Sequence, residues 1–228
     1  MSNIAEKLTT IAENQQKLYD KGMSDNESVL WDGVLWDGAR TTYMQYLFAY
    51  WKNEYIRPKY KIVPTASVDH MFYKCKSLKK IEAEYFDFSN VPYVSNVLST
   101  SGFGATFNSC ENLVEIEDVN LSAANYYQAF AYCYDLEKIA NINSQKDSNF
   151  TQAFHNCGAL KEIRFTGVIG NDLNFAVSPL SLDSVNSIVE HLYKYSSGSH
   201  VLTFSDYTKT LLTDEIKTEI TGKGWSYV

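Results

Sequence analysis

Four cysteines and four histidines are the residues of this chain that could bind a metal or act as nucleophiles. The cysteines lie 35, 23 and 24 residues apart, at Cys75, Cys110, Cys133 and Cys157. Zinc sites bring cysteines close together in sequence, and no such local pair occurs here. None of the histidines stands at metal-ligand spacing with another histidine, cysteine or acid: they are His70, His155, His191 and His200.

Sequence signatures of catalysis are also missing. The chain has no Gly-x-Ser-x-Gly nucleophile turn and no glycine-rich phosphate loop beyond the short match at Gly102 and Gly104. We therefore expect no metal, no cofactor and no catalytic residue, and we expect that the protein is not an enzyme.

All four cysteines belong to one repeated pattern, Phe-x-x-Cys-x-x-Leu-x-x-Ile. Its copies are MFYKCKSLKKI, TFNSCENLVEI, AFAYCYDLEKI and AFHNCGALKEI. Two near-equal periods of about 23 residues and one longer period predict a solenoid with an insertion between residues 84 and 105. Each copy is predicted to form a turn or short helix carrying Phe and Cys, followed by a strand carrying Leu and Ile.

Stacking the copies would place each residue type in a continuous internal column, because one copy cannot bury its apolar side alone. Cysteine suits such a position, since it is small and behaves as an apolar residue. We therefore predict buried structural thiols in a core that consists of Cys75, Cys110, Cys133, Cys157, Leu78, Leu113, Leu136, Leu160, Ile81, Ile116, Ile139 and Ile163.

The repeated pattern resembles the BspA-type leucine-rich repeat over residues 66–168. The resemblance implies an α/β fold, a right-handed leucine-rich-repeat solenoid of four to five repeats, and a role in recognition. The flanking segments NIAEKLTTIAENQQKLYDKG, GARTTYMQYLFAYW, RPKYKIVPTAS and SPLSLDSVNSIVEHL are similar to leucine-rich-repeat proteins encoded by phages and prophages of Gram-positive bacteria. This second resemblance implies a tail or baseplate accessory protein, although the tandem Val-Leu-Trp-Asp-Gly of residues 29–38 departs from it.

Residues 1–22 are predicted to form an amphipathic helix for attachment or oligomerisation. Its apolar seam has heptad-like 4-3-4-3 spacing, with one polar member, at Ile4, Leu8, Ile11, Gln15 and Leu18. Such a short helix is not stable alone, so it either docks on its own domain or pairs with other copies of the chain. Residues 23–65 are predicted to be an aromatic cap over the first repeat, and their Trp-Asp-Gly units form a binding loop or a structural insertion.

Residues 169–228 are predicted to be an α/β cap that closes the other end of the solenoid. Ser181 can cap a helix whose apolar face consists of Leu182, Val185, Ile188, Val189 and Leu192. A strand at 201–204, one helix at 208–221 stopped by glycines, and a last strand at 225–228 complete this unit.

Charges alternate along the predicted sheet face. The residue before each conserved Ile is Lys80, Glu115, Lys138 and Glu162, and the residue after it is Glu82, Glu117, Ala140 and Arg164. Neighbouring strands should pair these charges, which leaves little attraction for a charged ligand. Partner contacts are therefore expected from aromatic loops, at Tyr126, Tyr127, Tyr132, Tyr134, Trp31 and Trp36.

Composition points to a protein partner. With 20 basic and 27 acidic residues and a net charge of -7, direct binding to nucleic acid is disfavoured. No signal peptide and no long apolar run is evident, so we expect no membrane insertion and a location in the bacterial host cytoplasm or in a virion. Two functions remain open: a virion component of the tail or baseplate, and an intracellular inhibitor that blocks a host defence protein such as a CRISPR effector.

Deleting residues 1–22 tests whether the N-terminal seam mediates self-association. If it does, light scattering should find the full chain as a dimer or trimer and the truncated chain as a folded monomer. Ile11→Asp should have the same effect, because it places a charge in the seam. A monomeric full chain at micromolar concentration would contradict self-association.

Overall fold

The chain is a mixed α/β protein with parallel-strand sheets, so the predicted α/β class is confirmed. We describe residues 44–58, 61–92, 102–196, 198 and 200–228 of a computed structural model. The predicted helix at 1–22 and the residues Trp31 and Trp36 lie outside these residues.

The helices and strands of the described residues, in chain order, are β1 Lys80–Ile81, β2 Glu115–Ile116, β3 Leu121–Ser122, β4 Lys138–Ser144, β5 Glu162–Gly167, β6 Leu173–Phe175, α1 Leu182–His191, β7 His200–Phe204, α2 Asp206–Lys209, α3 Asp214–Gly222 and β8 Trp225–Tyr227.

The first sheet aligns the repeat units strand by strand. Strands β1, β2, β4 and β5 pair in parallel, and β3 also pairs with β4. Their register places the motif isoleucines opposite one another, as Ile81, Ile116, Ile139 and Ile163. All twelve predicted core residues are buried. The motif spacing therefore predicted both the register and the inward side of these strands.

A column of phenylalanine rings runs through the turns that precede the strands. The rings of Phe48, Phe72, Phe107, Phe130, Phe154 and Phe175 stack in this order, with centroids 5.5, 5.2, 5.7, 5.5 and 4.6 Å apart. The motif predicted the four central rings. Phe48 and Phe175 extend the column at its two ends, so the stacked geometry begins before the predicted boundary at residue 66.

The backbone of each turn is fixed by hydrogen bonds to the next turn. In the turn around Phe130, every second N–H donates to the following turn: those of Tyr126, Gln128, Phe130 and Tyr132 donate to Asn149, Thr151, Ala153 and His155. The residues two places before and after the phenylalanine adopt positive φ in five turns, as Tyr46, Tyr50, His70, Lys74, Ala105, Ser109, Gln128, Tyr132, Gln152 and Asn156. This conformation costs about 1–2 kcal/mol per non-glycine residue, so the hydrogen bonds between turns must hold it in place.

The cysteine thiols link successive turns along a second internal column. Each thiol donates to the carbonyl of the phenylalanine in the preceding turn, with Sγ···O distances of 2.8, 3.1, 3.0 and 3.1 Å for Cys75, Cys110, Cys133 and Cys157. Burial raises the pKa of the Cys110 and Cys157 thiols, which keeps them protonated and able to donate. The cysteines are therefore structural hydrogen-bond donors as well as apolar filling.

The C-terminal unit is built around the second sheet, in which β6, β7 and β8 are parallel. The Ser181 hydroxyl caps α1 as predicted, but Leu182 is 42% exposed, because the buried face begins at Ser184 and Val185. The prediction of a single helix at 208–221 is wrong. The chain forms α2 and α3 instead, since the Thr213 side chain caps a new helix start. The described residues contain no helix long and apolar enough to cross a membrane.

Substitutions at Cys133 test the thiol hydrogen bonds. Cys133→Val removes the donor to the Phe107 carbonyl and adds bulk in a packed column, so the free energy of unfolding should fall by about 1–3 kcal/mol. Cys133→Ser should cost less, because a hydroxyl can donate to a buried carbonyl of the preceding turn, as the Ser178 hydroxyl does to Cys157 O at 2.9 Å. Urea denaturation measures both, and a valine variant as stable as the serine variant would contradict a stabilising role for the thiol donors.

Candidate functional site

Tyr126 is not at the surface, so its predicted role in partner binding is wrong. It is fully buried in a second ring column, 5.6 Å from Phe103 and 5.0 Å from Phe150. Its hydroxyl donates to Leu121 O at 2.9 Å and accepts from Ala123 N at 3.0 Å. Each ring of this column lies four residues before a motif phenylalanine. Aligning the repeats at that position could have identified an inward-facing aromatic residue.

The other predicted tyrosines reach the surface to different extents. Tyr127 and Tyr132 are half-buried, whereas Tyr134 is 49% exposed. The Tyr132 ring lies 6.4 Å from that of Tyr134 and 5.3 Å from that of His155, edge to face in both cases. These three side chains therefore form a surface aromatic cluster.

A second cluster occupies the first two turns, of which the earlier belongs to the predicted cap and the later to the first predicted repeat. Tyr50 is 59% exposed, and its ring lies 5.8 Å from that of Tyr73 in an edge-to-face contact. The Lys74 ammonium lies 5.0 Å from the centre of the Tyr73 ring and 5.8 Å from that of Tyr50. Beside them, the Tyr46 ring stacks on His70 at 4.7 Å.

The two clusters have the same local geometry. In each, a tyrosine with positive φ contacts an aromatic residue of the next turn and donates its backbone N–H to the carbonyl of that residue. The N···O distance is 2.8 Å both from Tyr50 to Tyr73 and from Tyr132 to His155. One turn lies between the clusters, and its equivalent positions hold small polar residues that hydrogen bond to each other. We call the six residues Tyr50, Tyr73, Lys74, Tyr132, Tyr134 and His155 the aromatic turn surface.

Three of the four histidine rings hydrogen bond within the protein. His70 Nδ1 lies 2.7 Å from Asp69 Oδ2, and the buried Asp69 Oδ1 has no hydrogen-bond partner among the described residues. His191 Nδ1 lies 2.8 Å from Ser187 O in its own helix. The described part of the chain contains no group of three or more histidine, cysteine or acidic side chains placed to hold a metal ion.

The predicted charge alternation forms a continuous network on the sheet face. Lys80 Nζ lies 2.8 Å from Glu115 and 2.6 Å from Glu117, while Lys138 contacts Glu115 at 3.4 Å and Glu162 at 3.8 Å. Hydrogen bonds from Lys80 lower the pKa of both Glu115 and Glu117. The predicted pairing is confirmed for the column before the isoleucines, which consists of Lys80, Glu115, Lys138 and Glu162. Because the charges neutralise one another, the sheet face is a weaker candidate for binding a charged partner than the aromatic turn surface.

Comparison of the chain with protein-family models, with curated proteins and with solved structures finds no match. The function of the protein is therefore inferred from its own geometry.

Acid titration tests the charge network. A glutamate whose pKa is lowered in the folded protein stabilises the fold at pH values above its ordinary pKa of about 4.3. This stabilisation is lost as the pH falls through the lowered pKa. Lys80→Met should therefore reduce the free energy of unfolding by about 0.5–1 kcal/mol at pH 7, the range for solvent-screened pairs, and by much less near pH 3. Lys161→Met is the matched control, because its pair with Glu137 is 3.7 Å long and more than half exposed. A pH-independent loss in Lys80→Met would contradict this account.

Proposed function

We propose that the chain is a leucine-rich-repeat-type solenoid that binds another protein through the aromatic turn surface. The single observation that carries the proposal is the repeated pairing of an outward tyrosine with an aromatic residue of the next turn. Stacked parallel units with two ring columns and one thiol column support the solenoid. Solenoids of stacked repeats present extended surfaces that are suited to protein recognition.

The rings of this surface are held in a way that favours binding. The backbone N–H groups of Tyr50 and Tyr132 each donate to a carbonyl of the next turn, and each ring rests against a neighbour. Ordering these side chains on binding therefore costs little conformational entropy. Tyrosine supplies a large apolar face and a polar hydroxyl, a combination enriched at the energetic centres of protein interfaces. Lys74 adds a positive charge beside the first cluster.

The setting of this function follows from the sequence resemblance. It favours a phage-encoded component of the virion, in which the N-terminal segment attaches and the turns recognise a partner. Mass spectrometry of purified particles should then detect the chain at a fixed ratio to the tail proteins. Recovery only from the particle-free fraction of infected cells would favour the inhibitor of host defence instead.

Site-specific photo-crosslinking tests the surface itself. Benzoylphenylalanine at position 50 or 132 of the full chain should crosslink to the same partner protein, because it keeps an aromatic ring at each position. The matched control is position 207, where Tyr207 is 56% exposed on α2 and is not part of the aromatic turn surface. With the partner identified, Tyr132→Ser should weaken binding by about 30-fold or more, as for a central interface residue, and Tyr207→Ser should leave it unchanged. Crosslinks from position 207 alone would contradict the proposed surface.

A further inference from the structure

A groove of about 610 Å³ lies beside the C-terminal unit, apart from the aromatic turn surface. Its walls are residues 149–152, at the start of the last motif turn, residues 171–174, and the adjacent part of β7. Small-molecule sites typically enclose about 300–1,000 Å³. The buried Phe150 and Leu173 line it together with a majority of polar side chains.

Three amide side chains on the walls are each anchored at one end. Gln152 Oε1 accepts from Gln128 Nε2 at 2.6 Å, Asn174 Oδ1 accepts from a backbone N–H two residues further along at 3.0 Å, and Asn171 Nδ2 donates to Ser148 O at 3.0 Å. The opposite ends bond to no other residue of the described chain. The walls therefore hold two amide donors, Gln152 Nε2 and Asn174 Nδ2, and one acceptor, Asn171 Oδ1, on side chains that are already oriented.

The charged side chains of the groove disfavour both anionic and cationic ligands. Among the described residues no lysine or arginine lines it, so a phosphate or another polyanion would find no ammonium or guanidinium donor there. Its one carboxylate, Asp172, accepts from Val201 N at 3.0 Å and lies 3.1 Å from His200 Nδ1. The His200 ring in turn stacks on Tyr195 at 4.4 Å. Asp172 is thus already engaged by protein donors, and a cation would have to compete with them.

We propose that this groove binds a neutral, hydroxyl-rich ligand, an oligosaccharide. A sugar hydroxyl both donates and accepts, and so matches fixed amide donors and an amide acceptor placed side by side. The hydroxyls of Thr151 and Thr203 add two groups of the same kind to the walls. This site is independent of the protein-binding surface proposed above.

The experiment applies the full chain to immobilised neutral oligosaccharides of glucose, galactose, mannose, rhamnose and N-acetylglucosamine, with heparin as the anionic control. Binding to neutral glycans and not to heparin is the expected result, with dissociation constants of about 0.1–10 mM for a single open site. Failure to bind any of the neutral glycans, or binding to heparin alone, would overturn the proposal.

A pair of isosteric substitutions locates the binding. Asn174→Asp keeps the oxygen that anchors the side chain and replaces the presented Nδ2 donor by an acceptor, so affinity for the selected glycan should fall about threefold to tenfold. Asn186→Asp makes the same charge change on the exposed side of α1, outside the groove, and should leave affinity unchanged. Thermal melting checks that both variants fold. Equal affinity of the two variants would place the binding elsewhere and overturn the assignment.

Discussion

Hydrogen bonds between successive turns are the constraint on which the rest of this molecule depends. Without them, the left-handed residues that flank each phenylalanine would relax, because the conformation is costly for side chains other than glycine. Once the turn backbone is fixed, the residues of every turn occupy equivalent positions. The phenylalanines then stack, the thiols reach the carbonyls of the preceding turn, and the tyrosines two places further along point outward. One backbone arrangement therefore sets both the core and the candidate binding surface.

The motif alone predicted the core and the charge network, because both follow from the register of the repeats. Ile81 lies opposite Ile116, and Lys80 lies opposite Glu115, as a simple alignment of the copies requires. The ends of the ring column were harder to predict. Around Phe48, Trp51 occupies the cysteine position, and after Phe175 the position is filled by Ser178. The motif is therefore lost there, although backbone geometry and burial persist.

The candidate sites depend on contacts between turns and units, which a pattern along the chain does not contain. Tyr126 lies four residues before the motif Phe130 and Tyr132 lies two residues after it, yet the first is buried and the second reaches the surface. The pairing of Tyr50 with Tyr73 becomes visible only when two turns are superposed. The groove is formed where β6 and β7 lie beside the last motif turn, and β6 was not predicted from the sequence.

The position two residues after each phenylalanine holds Tyr50, Lys74, Ser109, Tyr132 and Asn156, although all five share the same positive φ. Four different residue types on one backbone conformation indicate that the core does not dictate the side chain at this position. Substitutions there change the surface of one turn, so binding specificity can change one turn at a time during evolution. An aromatic residue in place of Ser109 would lie between the two clusters, and the same freedom makes the turns a scaffold for engineered recognition.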